Sequence, residues 1–146
     1  TFIEEQVALQ LDVLNNEIFV VLAADLNLTP PDAVPATDTN TFGAISNTSV
    51  ASMPTLANTN TIAVARDAIR AAGFVDSGVG FTRSASETYT GDVEYIALIS
   101  TNNFFVQLQG QGNTLAKSVN GRVWGYRARA DAATYAALVQ SEVLSA

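Results

Sequence analysis

The chain has no cysteine and no histidine. The first absence excludes disulfides and thiolate metal sites. The second removes the commonest general base and metal ligand at neutral pH. Charged residues are scarce, at 14%, and they are unevenly divided. Residues 1–61 hold Glu4, Glu5, Asp12, Glu17, Asp25, Asp32 and Asp38, but no lysine or arginine. All seven bases lie beyond residue 65 among seven further acids, so the first 61 residues carry the whole net charge of −7. A segment without cations cannot neutralise phosphates, which argues against nucleic-acid binding through it; no nucleic-acid partner is expected. No window approaches about 18 continuous apolar residues, so neither a transmembrane helix nor a membrane partner is expected. Nothing in these residues reads as a secretory signal.

With 146 residues, the expectation is a single domain, 1–146, large enough for a real core. The fold class expected is α+β and mainly antiparallel β. Its centre is a β-meander over about residues 93–130. Val93-Glu94-Tyr95-Ile96-Ala97-Leu98-Ile99-Ser100 is rich in strand formers on both faces. After a Thr101-Asn102-Asn103 turn, Phe104, Val106 and Leu108 alternate with Phe105, Gln107 and Gln109. Asn120-Gly121 then reads as a two-residue hairpin turn, since a type I′ turn needs positive φ at both central residues. That turn would pair Lys117 with Trp124 and Leu115 with Tyr126. A Lys117–Trp124 cation–π contact would contribute about 0.5–1 kcal/mol if exposed. Trp124 and Tyr126 share one face of this strand, and Arg127 and Arg129 share the other. Arg122, Arg127 and Arg129 are either a solvated face or a contact patch for an acidic partner. Trp124 and Tyr126 belong with them as candidate partner contacts.

Residues 6–27 fit two patterns. Ile3, Val7, Leu11, Leu14, Ile18 and Val21 follow a helical stripe. A β-hairpin turning at Asn15-Asn16 instead sets alternating Val7, Leu9, Leu11 and Val13 against Ala24, Leu22, Val20 and Ile18. Residues 29–61, with Pro30, Pro31, Pro35 and Pro54 among Thr, Asn, Ser and Ala, read as a long loop or arm. Two short helices are expected, at about 62–73 and 132–144. The first would be capped by Thr61, present Ile62, Ala65, Ile69 and Ala72 on one face, and stop at Gly73. The second would be capped by Asp131 and bury Tyr135, Leu138 and Val139. Residues 74–92 suggest one or two edge strands.

The sequence offers little for chemistry. Gly78-Val79-Gly80 and Gly110-Gln111-Gly112 make neither a dinucleotide fingerprint nor a phosphate loop and read as turns or bulges. Asp92 and Glu94 lie on one strand face, close enough to share a cation, but a calcium loop needs a denser ligand series. A catalytic triad is impossible without histidine, and a Ser–Lys dyad would rest on Lys117 alone. No catalytic residue, metal ligand or cofactor is expected, and the chain is expected not to be an enzyme.

A short acidic chain without Cys or His, rich in Thr, Asn, Ala and Val, with a long Thr/Asn loop beside a small sheet, resembles the virion structural proteins of tailed bacteriophages. Capsid decoration (cement) proteins are the type it resembles most. The resemblance covers the whole chain but rests on no motif, so it carries over no site residue. It implies a homo-oligomer, most simply a trimer, that binds the major capsid protein or another virion protein on the capsid surface. A tail-tube or neck subunit is the alternative from the same setting. A carbohydrate- or ligand-binding β module, with Trp124 and Tyr126 as its platform, is the alternative from another class.

Overall fold

A computed structural model describes residues 2–70, 80–83 and 95–145. It contains eight strands: β1 (Phe2–Ala8), β2 (Glu17–Leu28), β3 (Thr39–Ser46), β4 (Thr61–Arg70), β5 (Gly80–Arg83), β6 (Ala97–Ile99), β7 (Asn103–Gln111) and β8 (Val119–Arg129). Among the described residues one helix, α1 (Ala132–Ser145), follows the last strand. The strands form a five-stranded sheet, β1-β7-β3-β4-β5, and a three-stranded sheet, β6-β2-β8. Every pairing is antiparallel.

The two sheets pack face to face because each strand is apolar at alternate positions. From β2 come Ala24, Leu26 and Leu28, which meet Ile45 of β3, Ala63 and Ala65 of β4, and Leu108 of β7. Phe104, Val106, Val119 and Val123 pack around that cluster. Several of the facing residues are small, so the sheets approach closely. At Gly43, a Cβ would lie 2.7 Å from Leu28 Cδ2, so the space a side chain would need is occupied by Leu28.

Residues 93–130 do not form a meander. Among the described residues they give three strands, and these divide between the sheets: β6 and β8 flank β2, while β7 lies between β1 and β3. Turn residues specify that the chain reverses, but not which layer the next strand joins. Asn120-Gly121 is not a turn either. Both residues lie within β8, opposite Asn27 and Leu26 of β2, and neither has positive φ. Gly121 serves packing instead, since a Cβ there would lie 3.0 Å from Leu26 Cδ2. The long apolar strand β2 offers β8 a full ladder, and that outweighs a two-residue turn preference.

The N-terminal region is strand rather than helix, yet it is not a hairpin. A 3-10 turn at Val13–Asn15 and Asn16 at φ 58° reverse the chain near the expected place. However, β1 pairs with β7 and β2 with β6 and β8, so the two strands enter different layers. Residues 39–46, inside the expected arm, form β3, the middle strand of the larger sheet. The expected helix at 62–73 is β4 where described. Ala63, Ala65 and Asp67 are buried at alternate positions along the strand that pairs with β3. Alanine favours helix in isolation, but pairing with β3 decides the outcome. Gly73 lies outside the described residues. The edge strand expected within 74–92 is present as β5.

The last helix forms as expected, with Thr134 N donating to Asp131 Oδ1 at 2.7 Å. That bond, together with one from the Thr134 side chain, holds the Asp131 carboxyl below the usual carboxylate range. Tyr135, Leu138 and Val139 are half-buried.

The two remaining parts of the Thr/Asn-rich stretch pack on their own domain. Residues 47–60 cover the outer face of the larger sheet: Ser49 Oγ and Val50 N both donate to Glu4, and Pro54 is buried. Gln107, on that face, is fully buried and donates to Glu4 and Ser46. Burial pushes the Glu4 carboxyl up, but the bonds from Gln107, Ser49 and Val50 together hold it below its ordinary value.

Candidate assembly surface

Among the described residues β8 is an edge strand of the smaller sheet and β1 is an edge strand of the larger. An edge strand leaves a row of backbone N–H and C=O groups without a ladder partner. The two edges lie on the same side of the sandwich. Between them opens a cleft of about 680 Å³, whose walls include Ile3 and Val7 from β1, Val119 and Val123 from β8, and Leu26 and Leu108 from the core. Ile3 is 57% exposed. Glu5, between Ile3 and Val7, also faces the cleft and is exposed. Among the described residues the sandwich is thus open along this side, with apolar lining and unpaired edges together.

Both ends of the cleft are fastened. At one end Arg127 donates to the Leu9 and Gln10 carbonyls and to Glu17 Oε1. At the other, Lys117 Nζ lies 2.6 Å from Asp32 Oδ1. Asp32 also accepts from Thr114 N, Thr114 Oγ1 and Leu115 N. Lys117, followed by the Leu115 and Thr114 amides, holds the Asp32 carboxyl down at about 2.

The five residues singled out from the sequence all lie on β8, but they do not form one patch. Arg122, Trp124 and Tyr126 share its outer face, and Arg127 and Arg129 share the other. Trp124 and Tyr126 are 45% and 54% exposed. The cation over Trp124 is Arg122, with its guanidinium carbon 5.8 Å from the ring centroid. Lys117, expected there, is held by Asp32. Arg127 is engaged within its own chain, while Arg122 and Arg129 are exposed on opposite faces of β8.

Asp92, Glu94, Gly78 and Val79 lie outside the described residues. Gly110 lies within β7, opposite Thr41, and Gly112 turns the chain just after it with φ 72°, so the turn reading holds for Gly112. Among the described residues no three Asp or Glu side chains group as metal ligands, and no helix is long and apolar enough to cross a membrane.

Glu142 was missed by the sequence reading. It is 5% exposed, and its carboxylate accepts from Ser100 N, Ser100 Oγ and Thr101 Oγ1 at 2.7, 2.8 and 2.9 Å. This latches α1 to the turn after β6. The signal was available, because Glu142 continues the stripe of Tyr135, Leu138 and Val139.

No family model, curated protein or solved structure matches this chain.

Proposed function

We propose that this protein is a non-enzymatic structural component of a phage virion, working as a homo-oligomer that binds and stabilises the capsid surface in the manner of a decoration protein. The observation that carries this reading is the open side of the sandwich. Two unpaired edges flank an apolar cleft, with Trp124 and Tyr126 exposed beside them. Large exposed apolar surface beside an unpaired strand marks an association site. The absence of histidine and cysteine supports a role that needs no nucleophile or general base.

The test is whether a neighbouring reading frame encodes a capsid protein, followed by co-sedimentation of the purified protein with shells assembled from it. Saturable binding of a small closed oligomer, with a rise in shell stability, is the expected result. Failure to bind shells overturns the reading. Polymerisation into tubes would assign the chain to tails instead. A monomer whose Tm rises with a soluble glycan would make it a carbohydrate-binding module, with the exposed Trp124 and Tyr126 as the platform.

A further inference from the structure

We infer that the open side is closed by a second copy of this chain, with β1 of one copy pairing with β8 of the next in a parallel ladder. Three observations lead to this arrangement. The first is position: both free edges line the same cleft, so one approaching copy can engage either of them. The second is direction. Ile3, at the start of β1, shares a cavity with Lys117, just before β8. Leu9 and Gln10, just past the end of β1, bind Arg127 near the end of β8. The two edges therefore run the same way.

Rotation about an axis parallel to the strands preserves that direction. It brings β1 of one copy beside β8 of its neighbour, turns the clefts toward the axis and closes a ring. Rotation about an axis perpendicular to the sheets would instead set β1 against β1 and β8 against β8, antiparallel.

The third observation, charge, separates these two. With Glu4 held by Ser49, Val50 and Gln107 and Arg127 held by Glu17, β1 offers a neighbour Glu5 and no base, while β8 offers Arg122 and Arg129 and no acid. Like-with-like pairing lines up carboxylates in one seam and guanidinium groups in the other. Unlike pairing sets acids against bases in both seams. Exposed ion pairs are individually weak, but like charges across an interface are penalised, and charge selects register and partner. The occupant of the β8 edge is thus a β1 strand, and the occupant of the β1 edge is a β8 strand.

This inference rests on the proposed role only in taking a second copy as the occupant. It is tested on the isolated protein, which lacks cysteine, so single introduced thiols report directly on contact. Two variants are made separately, Gln6→Cys on β1 and Trp124→Cys on β8, each checked for native secondary structure. Oxidation at micromolar concentration should give disulfide-linked dimers in the mixture and in neither preparation alone. Bonds within either single preparation overturn the unlike pairing. A wild-type chain that stays monomeric, or an oligomer in which no preparation cross-links, also overturns it.

A second measurement uses charge. Arg122→Glu with Arg129→Glu should convert the oligomer to monomer, and adding Glu5→Lys with Gln6→Lys in the same chain should restore it. Loss without restoration, or no loss, counts against the pairing. Copies that cross-link as expected but ignore capsid shells overturn the virion role and leave the pairing intact.

Discussion

Lys117 Nζ lies 2.6 Å from Asp32 Oδ1, joining residues separated by most of the sandwich fold. Asp32 itself follows Pro30-Pro31, and its amide donates to Asn113 Oδ1 at 2.8 Å. Its carbonyl accepts from Thr39 Oγ1 at 2.7 Å. One residue therefore pins the strap after β2 to the loop that leads into β8, and so fixes one end of the cleft.

The Asp32 carboxyl is lowered from 3.8 to about 2, which makes a pH prediction. A group whose pKa falls on folding contributes stability above its unfolded pKa and loses it as pH falls through the folded value. The contribution of Asp32 should be complete above about pH 4 and lost by about pH 2. Asp32→Asn should lower Tm at pH 7, and the gap to wild type should shrink between pH 4 and pH 2 in scanning calorimetry. An equal gap at pH 7 and pH 2 would contradict this.

Glu142 is the second point. Glu142→Ala removes the acceptor for Ser100 N, Ser100 Oγ and Thr101 Oγ1 at a buried site. Leaving such donors unsatisfied costs about 1–3 kcal/mol. Urea denaturation should show that loss, and hydrogen exchange at Ser100 N should accelerate. An unchanged Ser100 exchange rate would mean that α1 is held by its apolar face alone.

The Gly43–Leu28 contact makes a packing prediction. Gly43→Ala would put Cβ 2.7 Å from Leu28 Cδ2, and overpacking of this kind costs about 1–3 kcal/mol. Leu28→Ala alone should cost about 2–5 kcal/mol by opening a cavity. Because the two changes share one space, the double variant should be less destabilised than the sum of the singles. Strict additivity in denaturant titrations would contradict this contact as the reason for glycine at position 43.

How far the sequence could be read follows from the range of each signal. The strand character of 17–28, 103–111 and 123–129 was legible from alternation and β-branched residues, and α1 from its cap and stripe, whereas Asn120-Gly121 disguised the start of β8 as a turn. Strand pairing was not legible, because it is fixed by distant partners: the facing apolar positions of residues 7–13 and 18–24 suggest a hairpin as readily as two layers. β3 was hidden because Thr39-Asn40-Thr41-Phe42-Gly43-Ala44-Ile45-Ser46 has few large apolar groups. Its burial comes from neighbours on both sides and from residues 47–60 above it. β4 was misread because Ile62, Ala65 and Ile69 fit a helical stripe while Ala63, Ala65 and Asp67 fit a strand face. Of the candidate surface, the sequence singled out five residues of β8 and the division of Trp124 and Tyr126 from Arg127 and Arg129, but not the β1 edge, the cleft or the engagement of Arg127, which depend on distant strands.

Sedimentation equilibrium of the wild-type protein at micromolar concentration, in low and high salt, tests the account most directly. The expected result is a single closed oligomer, most simply a trimer, that weakens as salt shortens the screening length below about 8 Å. A well-folded monomer at every salt concentration would contradict it, because the open side of the sandwich would then have no second copy to cover it.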